Sequence, residues 1–433
     1  MRGSTASDLA ADLEAAIRVG RLAPGERLPT VRAEARRLRL SPATVAAAYR
    51  TLRQRGCVTA QGRRGTRVSQ RPPLPVRTAP VIPAHLRDLA YGNPDPALLP
   101  PLAPALRRLG RAPRLYGEPT LHPELLAHAA RQLAADGIPT TGLAVAGGAL
   151  DGIERVLQAW LRPGDRVAVE DPGYAAVLDL VSALGLVAEP VALDDDGPLP
   201  EEVARALAAG AAALIVTPRA QNPTGAALTP ARVRALAVVL AAHPEALVVE
   251  DDHAGPVAGA HALTLAPGRA RWASVRSVSK SLGPDLRLAV VAGDATTISR
   301  VAGRQRLGVG WVSHVLQGLV ATLWTDPAAE RRLAVARETY AARRAALLAA
   351  LAARGIAAHG RSGLNVWIPV PEEAPVVHAL AEAGFAVRAG ESHRLRSGPA
   401  VRITIATLQP RDAPRVADAV AHALRPARRT APA

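Results

Sequence analysis

Apolar residues follow two different periods along the chain. Near the N-terminus they recur at four-residue spacing, as in Leu9, Leu13 and Ile17, which is the period of one helix face. Further along, short continuous apolar runs alternate with helical stretches, as expected for strands that are covered on both faces of a mostly parallel α/β sheet. The predicted buried strands cover residues 167–170, 213–216, 247–250 and 288–292.

Changes in composition divide the chain into three parts. Residues 1–69 are rich in arginine and helical in pattern, and residues 87–433 carry the alternation of strands and helices. Between them, residues 70–86 contain five prolines, which favour extended polyproline II and prevent helix formation. We therefore predict an N-terminal domain, a proline-rich linker and a larger α/β domain.

Three helices are predicted within residues 1–69. Thr30 can cap the second helix, and Ser41 followed by Pro42 has the residue types preferred at an N-cap and at the first helical position. Gly56 is suited to the left-handed conformation that ends the third helix. The second and third helices then present an apolar face built on Val31, Ala35, Leu38, Val45, Ala48, Tyr49 and Leu52.

A short hairpin follows the third helix and carries Arg63 and Arg64 in its turn. Three helices and a hairpin are typical of a winged helix-turn-helix, whose third helix enters the major groove. The two arginines would then contact phosphates or the minor groove. The alternative is a small helical cap whose arginines are only solvated.

Charge and cysteine content narrow the possible partners. The net charge of +16 and the isoelectric point of about 11.3 favour an anionic partner, first of all nucleic acid, although an arginine-rich composition alone also raises both values. The single cysteine, Cys57, excludes an internal disulfide and a cysteine-based metal site, and it is typical of a reducing cytoplasm. We expect neither a signal peptide nor a membrane span, because no apolar run is long enough.

Lys280 is the one lysine of the chain, so 52 of the 53 Lys and Arg residues are arginine. An arginine cannot lose a proton and attack a carbonyl, whereas a lysine amine can. The chemistry that most needs such an amine is a Schiff base with an aldehyde cofactor such as pyridoxal phosphate. The alternative is an ordinary solvated lysine.

Polar residues fall where the predicted strands end, and ligands of such sheets bind at the carboxyl ends of strands. Pyridoxal phosphate needs a carboxylate for its ring nitrogen, donors for its phosphate and an aromatic face. Taken one at a time, Asp251 could be a helix cap, Tyr174 a core aromatic residue and Asn222 part of a plain turn. In this order and at this spacing, together with Lys280, they predict a pyridoxal phosphate site.

The N-terminal residues resemble the GntR-type winged-helix domain, through the stretch Pro-Gly-Glu-Arg-Leu-Pro-Thr-Val-Arg that ends at Arg32, through Leu-Ser-Pro-Ala-Thr-Val and through Ala-Tyr-Arg-Thr-Leu-Arg-Gln-Arg-Gly. Pro42 stands where that family usually has an arginine, so the operator sequence is not carried over. The resemblance implies that DNA is contacted by the wing, with Arg63 and Arg64, and by Arg27, Thr30, Arg32, Ser41 and Thr44.

Residues from about 90 to 410 resemble the fold-type-I aminotransferases, which implies a smaller C-terminal α+β lobe beside the main sheet. Together with the GntR-like head and the linker, the chain resembles the MocR/GabR subfamily of bacterial transcription regulators. The resemblance implies that Lys280 forms the Schiff base, that Asp251 rather than Asp252 pairs with the pyridine nitrogen, and that Asn222 binds the ring 3-hydroxyl.

The same resemblance assigns the other contacts. Tyr174 stacks on the ring, Tyr116 reaches the phosphate of a partner subunit and so implies a homodimer, and Arg402 binds the carboxylate of an amine or amino-acid effector. His253 replaces a tyrosine that is usual in the family and could still donate to the ring oxygen. The phosphate is held by Ala149 and Leu150, which lack the usual polar side chains and act through backbone amides, and by Ser277, Ser279 and Arg287.

These residues predict a cytoplasmic, homodimeric transcription regulator that binds an operator in double-stranded DNA and senses pyridoxal phosphate or an amine that reacts with it. One rival is a working pyridoxal-phosphate-dependent aminotransferase with an appended DNA-binding domain. The other is a DNA-binding protein whose large domain is only a dimerisation scaffold. Lys280 together with Asp251 argues against the scaffold.

Overall fold

The computed structural model describes residues 6–18, 21–23, 25–60, 65–69, 82–110 and 114–425. The chain divides into two compact units: an N-terminal unit that extends to residue 80 and includes residues 179–187, and a larger unit formed by the rest. Most of the predicted linker, residues 70–81, lies outside the described residues. No described helix is both long and apolar enough to cross a membrane.

The N-terminal unit has the three helices and the hairpin that the sequence predicts. The helices are α1 Ala6–Arg18, α2 Val31–Leu38 and α3 Pro42–Gln54, and the strands are β1 Val58–Ala60 and β2 Thr66–Val68. The strands pair in antiparallel fashion, with Val58 opposite Val68.

The predicted caps of this unit are confirmed. The Thr30 side chain accepts a hydrogen bond from the backbone N–H of Ala33 (3.2 Å), and the Ser41 hydroxyl accepts one from that of Thr44 (3.0 Å). Gly56, just after α3, has the left-handed φ of 68° that was expected of it. The small core contains the predicted apolar face and is closed by the hairpin, with Leu9, Leu28, Ala35, Val45, Ala48, Tyr49, Leu52, Val58 and Val68 buried.

The larger unit is built around a sheet of eight described strands. Their order across the sheet is β4-β11-β10-β9-β8-β5-β6-β7. A short strand, β3 Arg87–Asp88, precedes them in the chain. The eight strands are β4 Leu143–Ala146, β5 Arg166–Asp171, β6 Val187–Asp194, β7 Gly197–Pro198, β8 Ala211–Val216, β9 Leu247–Asp252, β10 Trp272–Ser277 and β11 Ala289–Gly293.

The centre of this sheet is parallel, as its apolar runs predict. Strands β5, β8, β9 and β10 pair in parallel, whereas β11 runs antiparallel to both β10 and β4. The interior residues of the central strands are buried because helices cover both faces of the sheet. These helices are α4 Leu102–Arg108, α5 Pro123–Ala135, α6 Ala149–Trp160, α7 Ala175–Ala183, α8 Pro200–Ala208, α9 Pro230–Ala241, α10 Ala295–Arg306 and α11 His314–Trp324.

A smaller α+β lobe completes the unit, as the resemblance implies. Its sheet has the order β12-β15-β14, and a second short pairing joins β13 to β3. The lobe has its own apolar core, which is separate from that of the large sheet. Its elements are α12 Pro327–Ala352, β12 Asn365–Pro369, α13 Glu373–Glu382, β13 Phe385–Ala386, β14 Arg388–Ala389, β15 Ala400–Thr404 and α14 Ala413–Leu424.

A close contact fixes the loop after β8 against this smaller lobe. Gly363 has a φ of 72°, and a Cβ added to it would lie 2.5 Å from the Cβ of Ala220. The neighbouring Ser362 hydroxyl accepts a hydrogen bond from the backbone N–H of Ala220 (2.8 Å) and donates one to the carbonyl of Gly225 (2.9 Å). Only a glycine permits this approach, which places the loop that contains Asn222 beside β12 and β15.

Candidate cofactor and DNA sites

Most of the predicted cofactor residues lie along one edge of the large sheet, where its parallel strands end. Strands β5, β8, β9 and β10 end there, so the residues that follow them are brought together. Arg287 departs from the expectation that every polar residue follows a strand, since it precedes β11. It reaches the same edge because β11 is antiparallel to β10, with Ala289 opposite Ser277.

Lys280 lies half-buried beyond the end of β10. Its Nζ donates a hydrogen bond to the carbonyl of Gly92 (2.5 Å). Burial, together with the positive charge of Arg402, lowers the pKa of the Lys280 ammonium to about 8, against a smaller opposing effect of Asp251. A substantial fraction of this amine is therefore neutral near physiological pH, which is the form that attacks a carbonyl.

The two neighbouring carboxylates at the end of β9 have opposite environments. Asp252 accepts hydrogen bonds from Arg219 (2.9 and 2.8 Å) and from Arg276 (2.7 Å), and Arg276 also pairs with Asp136 at 2.6 Å. These guanidinium groups outweigh burial and hold the pKa of Asp252 well below its usual range. Asp252 is therefore a charged structural residue that ties three strand ends together.

Asp251, in contrast, is buried without hydrogen bonds to both of its carboxyl oxygens. Its Oδ1 has no hydrogen-bond partner among the described residues. Burial, with smaller contributions from Asp252 and Glu170, raises its pKa to about 7. A buried, unsatisfied carboxyl oxygen is costly unless a ligand supplies a donor, and a protonated pyridine nitrogen is such a donor.

Asn222 and Arg402 meet across the boundary between the two lobes. Arg402 donates to the Asn222 Oδ1 (3.0 Å) and to the carbonyl of Ala90, while its Nε has no partner among the described residues. Because Oδ1 also accepts from Asn365 (3.3 Å), the amide N–H groups of Asn222 remain available to a ligand. Burial and the nearby charge of Arg388 lower the pKa of Arg402 to about 10.

His253 is engaged differently from what was expected. Its Nε2 lies 2.8 Å from the carbonyl of Ala220, and a carbonyl can only accept. Burial and the charge of Lys280 lower the pKa of His253 to about 4, so the ring is neutral and its hydrogen is on Nε2. The remaining nitrogen, Nδ1, is then an acceptor, so the donation to a ring oxygen that was predicted for His253 does not fit this arrangement.

Tyr174 lies in a turn after β5 that is clamped by the smaller lobe. The Asp171 carboxylate accepts hydrogen bonds from the backbone N–H groups of residues 395–397 (2.6–3.0 Å) and from the Ser397 hydroxyl (2.8 Å). Gly173 and His393 add two reciprocal bonds of 2.8 and 2.9 Å. The turn is thus fixed from both sides, which suits an aromatic ring that stacks on a ligand.

The predicted phosphate contacts meet at the start of α6. Ala149 and Leu150 open this helix, where backbone N–H groups have no intrahelical partner and the helix dipole favours an anion. The Arg287 guanidinium lies so close that a Cβ added to Gly148 would be 2.7 Å from it. The Ser277 and Ser279 hydroxyls lie 3.0 Å apart at the end of β10.

Tyr116 is far more exposed than the other predicted cofactor residues. Its side chain is 92% exposed and makes an edge contact with Trp311, at 5.6 Å between ring centroids. Within this one chain it contributes nothing to the edge that carries Lys280. Other exposed large apolar side chains lie near Tyr116 or near Trp311 in the sequence: Leu106, Leu115, Leu307, Val309 and Val315.

Four of the predicted DNA contacts, Thr30, Arg32, Ser41 and Thr44, lie at helix starts, whereas Arg27 forms a β-bridge with Arg67. Arg27, Thr30, Arg32 and Ser41 are exposed, and Thr44 is half-buried. Ser41 and Thr44 share a hydroxyl–hydroxyl bond of 2.8 Å, which leaves one hydroxyl hydrogen for a phosphate or base. Arg63 and Arg64 lie outside the described residues.

Several residues of the cofactor edge were not found from the sequence. The carbonyls of Ala90 and Gly92 carry no side-chain signal, and Arg388 lies in a strand of two residues that has no readable period. Glu170 ends an apolar run and could have been noticed as a buried charge. It accepts bonds from Thr217 and Gln221 (2.9–3.1 Å), and burial raises its pKa to about 7.

Two family models match the chain. The model described as bacterial regulatory proteins, gntR family, matches residues 5–68, and the model of aminotransferase class I and II matches residues 84–420. Among solved structures, an archaeal alanine:glyoxylate aminotransferase superposes with a TM-score of 0.72 at 21% identity, over 78% of this chain and 90% of the other. That likeness supports the fold of the larger unit.

Two curated relatives are transcription regulators. The chain is 42% identical to the vitamin B6 salvage pathway transcriptional repressor PtsJ of Salmonella typhimurium, over 94% of this chain and 95% of the relative. It is 31% identical to the pyridoxine biosynthesis transcriptional regulator PdxR of Corynebacterium glutamicum, over 54% and 53% of the two chains.

We predict that replacing Asp251 by Asn stabilises the cofactor-free protein increasingly as the pH rises from about 4 to about 7. An unfolded aspartate ionises near 3.8, whereas folding keeps Asp251 protonated up to a pH of about 7. The folded state therefore binds more protons in this window, and wild type loses stability across it by up to a few kcal/mol relative to the variant. Thermal unfolding at several pH values measures the difference, and parallel curves would contradict it.

Asp252→Asn is the matched comparison and should have the opposite effect. The pKa of Asp252 is depressed, so its contribution to stability is present at neutral pH and is lost only in acid. Removing its charge leaves Arg219 and Arg276 buried without their main partner, which costs about 3–5 kcal/mol for a broken buried pair.

Proposed function

The chain belongs to the gntR-type bacterial transcription regulators that carry an aminotransferase class I and II domain, and on this basis we propose that pyridoxal phosphate controls its binding to DNA. As a DNA-binding regulator it acts on an operator in double-stranded DNA through its winged helix. Its larger unit senses pyridoxal phosphate, or an amine or amino acid that reacts with it, through a Schiff base at Lys280. We place this activity in the cytoplasm, where the operator DNA is.

The observation that carries this proposal is the pairing of an activated amine with an unsatisfied acid. Lys280 has a lowered pKa of about 8, and Asp251, whose charge acts on it, has an Oδ1 without a partner among the described residues. A buried amine and a buried carboxyl oxygen without a partner both lower the stability of the folded protein, so neither is expected in a domain that serves only as a dimerisation scaffold. Pyridoxal phosphate supplies an aldehyde for the first group and a ring nitrogen for the second.

The other residues of the edge have the donors that this cofactor needs. Asn222 offers its amide to the ring oxygen, Tyr174 offers an aromatic face, and Arg402 is left for an effector carboxylate. The phosphate would be held by the backbone of Ala149 and Leu150 and by the side chains of Ser277, Ser279 and Arg287.

The names of the relatives are consistent with a response to vitamin B6. PtsJ is named a repressor of vitamin B6 salvage, and PdxR a regulator of pyridoxine biosynthesis. For this chain we propose the same class of signal and, by the same likeness, repression as the output.

The structure offers a route from the cofactor edge toward the linker. Residues 88–92, called here the entry segment, begin just after Arg87, the first residue beyond the predicted linker. Lys280 donates to the carbonyl of Gly92 in this segment, and Arg402 donates to that of Ala90. A ligand that engages Lys280 or Arg402 removes the hydrogen bond of that residue to the entry segment. Ligand binding would then favour a state in which the entry segment is released over the state in which it is attached.

We propose a homodimer because Tyr116 lies in an exposed apolar patch. The patch consists of Leu106, Leu115, Tyr116, Leu307, Val309 and Val315, whose side chains are 48–92% exposed. A second copy would cover this patch and would bring Tyr116 toward the partner's phosphate site. A two-fold dimer would also present two winged helices to paired half-sites.

The cofactor assignment predicts a visible absorbance band after incubation with pyridoxal phosphate, which borohydride fixes as a covalent adduct. Because Lys280 is the one lysine, the adduct should map to its peptide alone. Lys280→Arg keeps the charge and should lose both band and adduct. A wild-type protein that shows neither would exclude the proposed cofactor.

The sensing assignment predicts that pyridoxal phosphate changes operator occupancy in wild type and not in Lys280→Ala. Operator DNA selected from random duplexes by the wild-type protein is the probe, and a gel-shift titration with and without cofactor is the measurement. Arg32→Ala should weaken binding in both conditions. Equal responses of wild type and Lys280→Ala would count against sensing, and turnover with an amino donor and an oxoacid would then favour an aminotransferase.

The dimer assignment predicts that Leu307→Asp combined with Val309→Asp lowers the association constant by at least about tenfold, because each aspartate would have to be buried at the interface. Sedimentation velocity at several concentrations measures the change. Val238→Asp is the control, since Val238 is 75% exposed on α9, a helix that carries none of the patch residues. A monomeric wild type, or equal effects of both variants, would refute this interface.

A further inference from the structure

The small sheet of the second lobe places two arginines side by side. Strand β15 lies between β12 and β14, and the register puts Arg402 opposite both Trp367 of β12 and Arg388 of β14. Residues that are directly opposite in an antiparallel pair point to the same face, with Cβ atoms about 5 Å apart. Arg388 therefore shares the face from which Arg402 reaches Asn222.

Neither of these two guanidinium groups pairs directly with a carboxylate among the described residues. The Arg388 side chain makes no hydrogen bond or ion pair with any described residue, and the Arg402 side chain bonds only uncharged acceptors, namely Asn222, the carbonyl of Ala90 and, at 3.5 Å, the ring of His393. Asp88 lies near enough for its charge to act on Arg402, but it accepts the backbone N–H groups of Ala90 and Tyr91 (both 2.9 Å). Like charges that face each other across a strand pair destabilise a sheet.

The surroundings add further positive charge to this face. Lys280 lies within electrostatic reach of Arg402, and the buried Arg402 Nε has no partner among the described residues. One effector carboxylate can engage Arg402 and still leave the charge of Arg388 uncompensated. The charges of both guanidinium groups are balanced only when a ligand brings a second anionic group.

We propose that Arg388 and Arg402 form a paired-arginine subsite and that the effector is therefore a dicarboxylic amino acid. The inference rests on the proposed function, because it names the effector class of that same site. Arg402 binds the carboxylate next to the amine, and Arg388 binds the carboxylate at the other end of the molecule. Arg388 thus determines which amino acid is sensed.

The first test uses the full-length protein without cofactor and measures the binding of glutarate and butyrate by calorimetry. Wild type should bind glutarate at least about tenfold more tightly than butyrate, since a charge-assisted pair is gained. Arg388→Gln should reduce this ratio to about one, and Arg388→Lys should restore part of it. Arg411→Gln, which removes an exposed arginine of the same lobe, should leave the ratio unchanged.

The second test uses the protein loaded with pyridoxal phosphate and follows its absorbance during titration with L-glutamate or L-glutamine, which differ in one charge. Wild type should prefer L-glutamate by at least about tenfold, and Arg388→Gln should lose the preference. Equal affinity for the two ligands in wild type, an unchanged preference in Arg388→Gln, or tighter binding of O-phospho-L-serine would overturn the proposal.

The two tests separate this proposal from the proposed function. If the loaded protein shows no absorbance band, the cofactor assignment fails, whereas the preference for glutarate can still be measured. If the band forms and the dicarboxylate preference is absent in both tests, the cofactor assignment stands and the role of Arg388 is wrong.

Discussion

The buried pairing of Asp252 with Arg219 and Arg276 is the constraint on which the cofactor edge depends. It joins the end of β9 to the loop after β8 and to β10, with nitrogen–oxygen distances of 2.7–2.9 Å. Two cations placed on one carboxylate leave none for its neighbour, so Asp251 is held at the same strand end without a partner for its Oδ1. One residue carries the structural charge, and the adjacent one keeps a carboxyl oxygen without a partner among the described residues.

Two cations of this edge donate hydrogen bonds to backbone carbonyls. Lys280 bonds Gly92, and Arg402 bonds Ala90, so both temporary acceptors belong to the entry segment. A carboxylate is a stronger acceptor for a guanidinium than a neutral carbonyl is. A carboxylate ligand of Arg402, as proposed above, would therefore compete with the attachment of the entry segment, and the free energy of that competition would be available to a regulatory change.

Much of this arrangement could be predicted from the sequence, because its signals are local. Apolar runs gave the central strands, caps gave the helix starts of the winged helix, and the single lysine gave the reactive amine. The distinct roles of Asp251 and Asp252 could be assigned only by resemblance, since Arg219 and Arg276 come from other segments. The position of the ring hydrogen on His253 likewise depends on the carbonyl of Ala220, which is distant in sequence. The guanidinium that faces Arg388 is that of Arg402, and the sequence does not show that these two strands pair.

A chain with one side-chain amine also has a simple chemistry toward reactive metabolites. Aldehydes, acyl donors and other electrophiles that modify lysines in most proteins find a single lysine target here, and it is the residue that we propose to hold the cofactor. Modification of the protein would therefore be nearly all-or-none in its effect.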